Sequence, residues 1–103
     1  MGDILVVRVI ARSTLVAFWE RHPDAEGALK TWYAETIRAK WTTSQDVLDS
    51  KFWVRTLPDN RAVFKIKGNS YRLVVKIHYN TGSVFVRFIG THAEYDQIDA
   101  ETV

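Results

Sequence analysis

The sequence predicts an α+β two-layer domain, with an N-terminal strand and helices packed on one face of an antiparallel sheet that ends in a three-stranded meander. Three observations predict it. Apolar side chains up to about residue 48 recur at helical spacing, residues 61–89 switch to alternation, and two turn signals cut that alternating stretch into three. At 103 residues the chain suits one domain spanning 1–103. Without cysteine it holds neither disulfides nor thiolate metal sites.

Residues 4–10 (Ile-Leu-Val-Val-Arg-Val-Ile) are apolar and β-branched and read as a strand. Ser13 or Thr14 caps a short helix with Leu15, Phe18 and Trp19 on one face, and His22-Pro23 ends it because proline pushes its predecessor out of the α region. The main helix is predicted over 24–41. Leu29, Trp32, Tyr33, Ile37 and Trp41 form its stripe, and Glu26, Lys30, Glu35 and Arg38 lie off it. Ser44-Gln45-Asp46 caps another short turn through Leu48.

Strands follow at 61–67, 71–79 and 84–89, joined by turns at Gly68-Asn69 and Asn80-Thr81-Gly82. Alternation puts Ala62, Phe64, Ile66, Tyr71, Leu73, Val75 and Ile77 on the apolar face. It pairs Val84, Val86 and Phe88 against Phe85, Arg87 and Ile89. Gly90-Thr91 stops the last strand, and 92–98 has room for one helical turn. The opposite sheet face concentrates Lys65, Lys67, Arg72, Lys76, His78 and Arg87.

Charge sharpens this picture. The net charge is only +2, but residues 60–93 hold six Lys and Arg and no acid, and residues 94–103 hold four acids and no Lys or Arg. A stretch of this length without a carboxylate attracts polyanions. The plainer alternative is a solvated basic face with an acidic tail beside it. No apolar run is long enough for a membrane span, and Asp3 stands where a signal peptide would be basic, so a soluble, cytoplasmic protein is expected.

Three histidines without ligand spacing argue against a metal centre, and isolated glycines against a phosphate-binding loop. What remains handles phosphate. Arg72 and Arg87 offer planar forks that match phosphate oxygens, and Lys65 and Lys67 are point charges. His92 is suited to proton transfer; Tyr95 stacks a base or assists, and Asp96, four residues on, orients His92 or a lysine. Each has a structural alternative: cross-strand surface charge for the arginines and lysines, helix capping for His92, core packing for Tyr95.

Two strings then carry a resemblance. Arg61-Ala62-Val63-Phe64-Lys65-Ile66-Lys67-Gly68-Asn69-Ser70-Tyr71-Arg72-Leu73-Val74 and Val86-Arg87-Phe88-Ile89-Gly90-Thr91-His92-Ala93-Glu94-Tyr95-Asp96 resemble the HigB branch of the RelE-like toxins. Phe18-Trp19-Glu20, with His22-Pro23-Asp24-Ala25, is similar to the same family. The resemblance implies a RelE-like two-layer fold and the toxin of a type II toxin–antitoxin module. Such a toxin cleaves mRNA, commonly on translating ribosomes, and is silenced by a HigA-type helix-turn-helix antitoxin. It implies no cofactor or membrane, and contact with DNA only through the antitoxin complex. Carried over by position, the catalytic candidates are Arg72, Arg87, His92, Tyr95 and Lys67. The RNA-binding candidates are Lys65, Asn69, Lys76 and Arg61. Two departures stand out: Lys65 occupies a position where the family pattern has asparagine, and about seven residues precede the usual Arg-Val-Ile start.

The mechanism expected is metal-independent scission in which the substrate's 2′-hydroxyl attacks the adjacent phosphate. Two rivals use the same charge pattern: a sheet that binds RNA or ribosomes without cutting, and a decayed toxin that acts only in a repressor complex with its antitoxin.

Overall fold

A computed structural model describes residues 8–103. Of the strand expected over 4–10, Arg8–Ile10 forms β1, and residues 4–7 lie outside the described residues. The elements continue as α1 (Arg12–Arg21), a one-turn 3-10 helix (Pro23–Ala25), α2 (Glu26–Arg38) and α3 (Ser44–Leu48). Then come β2 (Val54–Leu57), β3 (Arg61–Ile66), β4 (Tyr71–His78), β5 (Ser83–Thr91) and α4 (His92–Tyr95). The sheet order is β1-β5-β4-β3-β2. The expected meander β3-β4-β5 is its centre, β2 adds an antiparallel edge, and β1 pairs parallel to β5, which makes the sheet mixed.

The α+β expectation holds, and each helix follows a local cause. α1 ends at His22 before Pro23, and it turns Leu15, Phe18 and Trp19 inward. The predicted helix 24–41 is shorter at both ends: a 3-10 turn precedes it, and Ala39 leaves the helical region. Its stripe is Leu29, Trp32 and Thr36, at steps of three and four, while Ile37 is exposed. The α3 cap is Thr43 rather than Ser44. Thr43 Oγ1 accepts from Asp46 N, and Asp46 Oδ2 accepts from Thr43 N in return.

Helices α1–α3 cover one face of the sheet. Phe18, Leu29, Trp32, Val47, Phe64, Leu73, Val75 and Ile77 are essentially inaccessible there. Phe64 is the hub, with Trp32 and Phe52 edge-on and Trp41 stacked. Each such residue stabilises by roughly 1.5–3 kcal/mol, so this face carries the fold.

The other face differs from the expected alternation. Pairing runs Val74↔Phe88 and then Val75↔Val86, so Arg87 is the extra residue of a β-bulge. Beyond the bulge the side chains change sides. Ile89 joins Val84 and Val86 in the helix-side core, and Phe88 moves to the opposite face beside Val63 and Val74. That face is not fully open. Tyr95, Ile98, Ala100 and Val103 fold back over Val63, Val74, Leu57 and Phe88 as a second, smaller core.

Candidate nucleic-acid interface

Cross-strand partners share a sheet face, so register writes out the basic face in rows. One row runs Lys65, Arg72, Gly90; the next Arg55, Val63, Val74, Phe88; the third Leu57, Arg61, Lys76, Phe85. Trp53 continues the first row beyond Lys65, because its carbonyl accepts the Lys65 backbone N–H at 3.3 Å.

Arg72 lies at the centre of the first row and is only 6% exposed. Nη2 donates to the Asn69 side-chain oxygen at 2.7 Å, and Nη1 donates to the carbonyls of Asn69 (3.1 Å) and Tyr71 (3.2 Å). A guanidinium has five N–H groups, so these three bonds fix its plane and leave two N–H groups uncommitted. The Tyr95 ring centre lies 6.0 Å from its Cζ, and the Tyr95 hydroxyl accepts from Arg55 Nη2 at 2.8 Å.

Helix α4 places Tyr95 there, and the Gly90-Thr91-His92 string explains how. Thr91 caps the helix: its Oγ1 accepts from Glu94 N at 3.1 Å, and Glu94 Oε1 accepts from Thr91 N at 2.8 Å. The second bond holds the Glu94 carboxyl below the usual range. Gly90 leaves room for both neighbours, since a Cβ there would lie 2.5 Å from the Phe88 ring and 2.9 Å from the Glu94 carboxylate and both side chains would have to shift. His92 N donates to Ser70 O at 3.1 Å, which seats the start of α4 against the β3–β4 turn that carries Asn69. One turn on, Asp96 Oδ2 lies 3.2 Å from His92 Nδ1. Both side chains are about half exposed at this approach.

Arg72, Asn69 and Tyr95 thus meet, with Lys65 beside Arg72 in the row, while His92 is tied to the β3–β4 turn through its backbone and its ring faces Asp96. The other candidates are held elsewhere. Arg61 is buried and donates Nη1 to Ala100 O (3.1 Å) and Val103 O (2.7 Å). Arg87 is exposed in the bulge and donates Nε to Val103 O at 3.0 Å. Lys76 pairs with Asp59 at 2.9 Å, which lowers the Asp59 pKa.

Lys67 adopts a left-handed backbone (φ 52°) in the β3–β4 turn and pairs with Asp24 at 2.8 Å, on the side of the 3-10 turn. Tyr71 donates to the same carboxylate at 2.5 Å. These bonds hold the Asp24 carboxyl below its usual range, Lys67 contributing most, and the Asp24 contact raises the Tyr71 phenol.

Two residues of this face escaped the reading of the sequence: Trp53 and Arg55. Their signal was present, an aromatic and a cation two apart, followed by Pro58-Asp59-Asn60. Asp59 and Asn60 both have positive φ (62° and 60°) and turn the chain from β2 into β3.

Among the described residues, no group of three or more His, Asp or Glu is arranged to hold a metal, and no helix is long and apolar enough to cross a membrane. A family model described as HigB_toxin, the RelE-like toxic component of a toxin-antitoxin system, matches residues 25–98. That span includes β2 to β5 and α4. None of the curated proteins matches the chain.

Proposed function

We propose, for a chain that belongs to the HigB family of RelE-like toxins, that it is an endoribonuclease which cleaves mRNA, chiefly on translating ribosomes. The observation that carries the reading is Arg72, held by three hydrogen bonds beside the ring of Tyr95, on the short helix that begins at His92. A fixed fork and an aromatic phenol on a basic face, with a histidine one turn before the phenol, suit phosphoryl transfer.

In the proposed reaction, the 2′-oxygen–phosphorus bond forms as the phosphorus–5′-oxygen bond breaks, and the strand ends in a 2′,3′-cyclic phosphate. The 2′-hydroxyl loses a proton and the departing 5′-oxygen gains one. His92, oriented by Asp96, is assigned to proton transfer, and Tyr95 to holding the substrate. Arg72 stabilises the charge that builds on the pentacoordinate phosphorus. Arg87 and Lys67 already have partners in Val103 and Asp24. The proposal gives them, with Lys65, Lys76 and Arg61, the weaker task of attracting the RNA backbone, and gives Asn69 the task of positioning Arg72. The partners proposed are mRNA, the ribosome and a HigA-type antitoxin, in the cytoplasm.

The test is 5′-end mapping of a reporter mRNA incubated with the purified protein, with and without translating ribosomes. New ends that require ribosomes and vanish in His92→Ala are expected. Intact mRNA in every arm would replace the nuclease by a non-catalytic module acting through RNA or antitoxin binding.

A further inference from the structure

Trp53 is unlike the other tryptophans. Trp19, Trp32 and Trp41 are 8%, 0% and 6% exposed and belong to the helix-side core, whereas Trp53 is 49% exposed. It is the largest side chain left in solvent among the described residues. Its ring carries the Lys65 ammonium, 4.3 Å from the ring centre. It also continues the row that leads through Lys65 to Arg72, two strands away, or about 10 Å at ordinary strand spacing. Arg55 stands two residues further along, in β2, and reaches Tyr95.

An exposed indole costs solvation unless something covers it, and the chemistry around it selects the cover. The row and its neighbour contribute Lys65, Arg72 and Arg55, and the carboxylate of Glu94 lies at the far end of the row, against Gly90, with Lys65 and Arg72 between it and Trp53. A flat π surface edged by cations fits a nucleobase on a polyanionic strand better than it fits an apolar or basic peptide. Single-stranded RNA is recognised in this way, with unstacked bases laid on aromatic rings and phosphates met by cations.

We infer that Trp53 and Lys65 form a base-stacking subsite for single-stranded RNA, which holds a nucleotide flanking the phosphate bound at Arg72. The inference rests on the nuclease reading and deepens it. Trp53 supplies binding through stacking, and Lys65 contacts the phosphodiester next to the stacked base. Because every base has a π face, the subsite grips RNA with little choice of base.

The solvent exposure of Trp53 makes it a reporter of its own occupancy. Titrate the protein with a single-stranded, fully 2′-methoxylated RNA of mixed sequence, which resists 2′-hydroxyl cleavage. Follow tryptophan emission, and in parallel the anisotropy of an end-labelled copy. Stacking quenches the emission of the wild-type protein. Trp53→Ala weakens binding about 5- to 100-fold, and Trp53→Phe recovers most of the affinity without the quenching. Lys65→Ala lowers the salt dependence of binding by close to one phosphate contact.

Wild-type emission unchanged at saturation, with Trp53→Ala binding equally well, would overturn the subsite. If those proteins still cleave mRNA, the nuclease reading stands without it. A wild-type protein that neither binds the RNA nor cuts mRNA on ribosomes would overturn both.

Discussion

The two faces of one sheet are built on different principles. On the helix-covered face, Phe64, Leu73, Val75 and Ile77 meet Phe18, Leu29 and Trp32 in a dry core. The opposite face carries a small apolar patch of Val63, Val74 and Ala100 together with arginines that donate to main-chain and side-chain oxygens. The first face stabilises by removing area from water. The second holds Arg61 and Arg72 at 7% and 6% exposure, an arrangement that hydrophobic packing alone would replace with apolar residues. The helix-covered face removes the larger apolar area from water, and the other holds its arginines in fixed positions through hydrogen bonds.

Removing matched aromatics separates the two faces by the largest margin. Phe64→Ala leaves a void among Trp32, Trp41 and Phe52 and costs about 3–5 kcal/mol in urea unfolding. Phe88→Ala, on the half-covered face, costs under about 2 kcal/mol. Equal losses would mean that the second face is as much a core as the first.

Arg61→Ala is the next effect. Its two hydrogen bonds hold Ala100 and Val103 over the sheet, and charged bonds of this kind contribute about 1.5–3 kcal/mol each. Amide hydrogen exchange should quicken across residues 98–103 and stay slow in β3 and β4. Unchanged exchange at the C-terminal segment would show that Val63 and Val74 hold it without the arginine.

Much of this was legible in the sequence, and the parts that were not share a cause. Alternation found β3, β4 and β5, and proline placed the end of α1, because these signals lie within a few residues. β2 has only four residues, too few for a period to register. The face of Phe88 depends on a bulge stabilised by packing on the C-terminal segment, so strict alternation assigned it to the wrong side. In the candidate site, Arg72, Asn69, His92 and Tyr95 could be named from their strings. Arg55 could not, since its partner Tyr95 lies 40 residues away. Nor did sequence show that Lys67 turns toward Asp24, a bond across 43 residues.

Gly90→Ala probes the hinge between the last strand and α4. The new methyl displaces the Phe88 ring and the Glu94 carboxylate, and loss of that cap costs about 1 kcal/mol. In a domain of this size that lowers Tm by about 4–8 °C. Cleavage should fall with it, as Tyr95 and His92 lose their seat; a variant with wild-type Tm and rate would remove the cap from the account.

The smallest effect is in pH. The Asp24 carboxyl is held below its ordinary 3.8, so its contribution is complete above that value and is lost as pH falls through the lowered folded one. The Tyr71 phenol is raised above 10.0, so its contribution is complete below that value and is lost as pH rises through the raised one. Asp24→Asn should therefore be less stable than wild type by a constant margin at neutral pH, with the margin closing at both extremes. A margin that varies through neutrality would assign the effect to other groups.

The most direct test of the reaction centre is the single-turnover cleavage rate of Arg72→Lys on ribosome-bound mRNA. Lysine keeps the charge and loses the planar fork that Asn69 and Tyr95 hold in place. A rate at least about 100-fold below wild type is expected. A wild-type rate would contradict it and move the reaction centre away from Arg72.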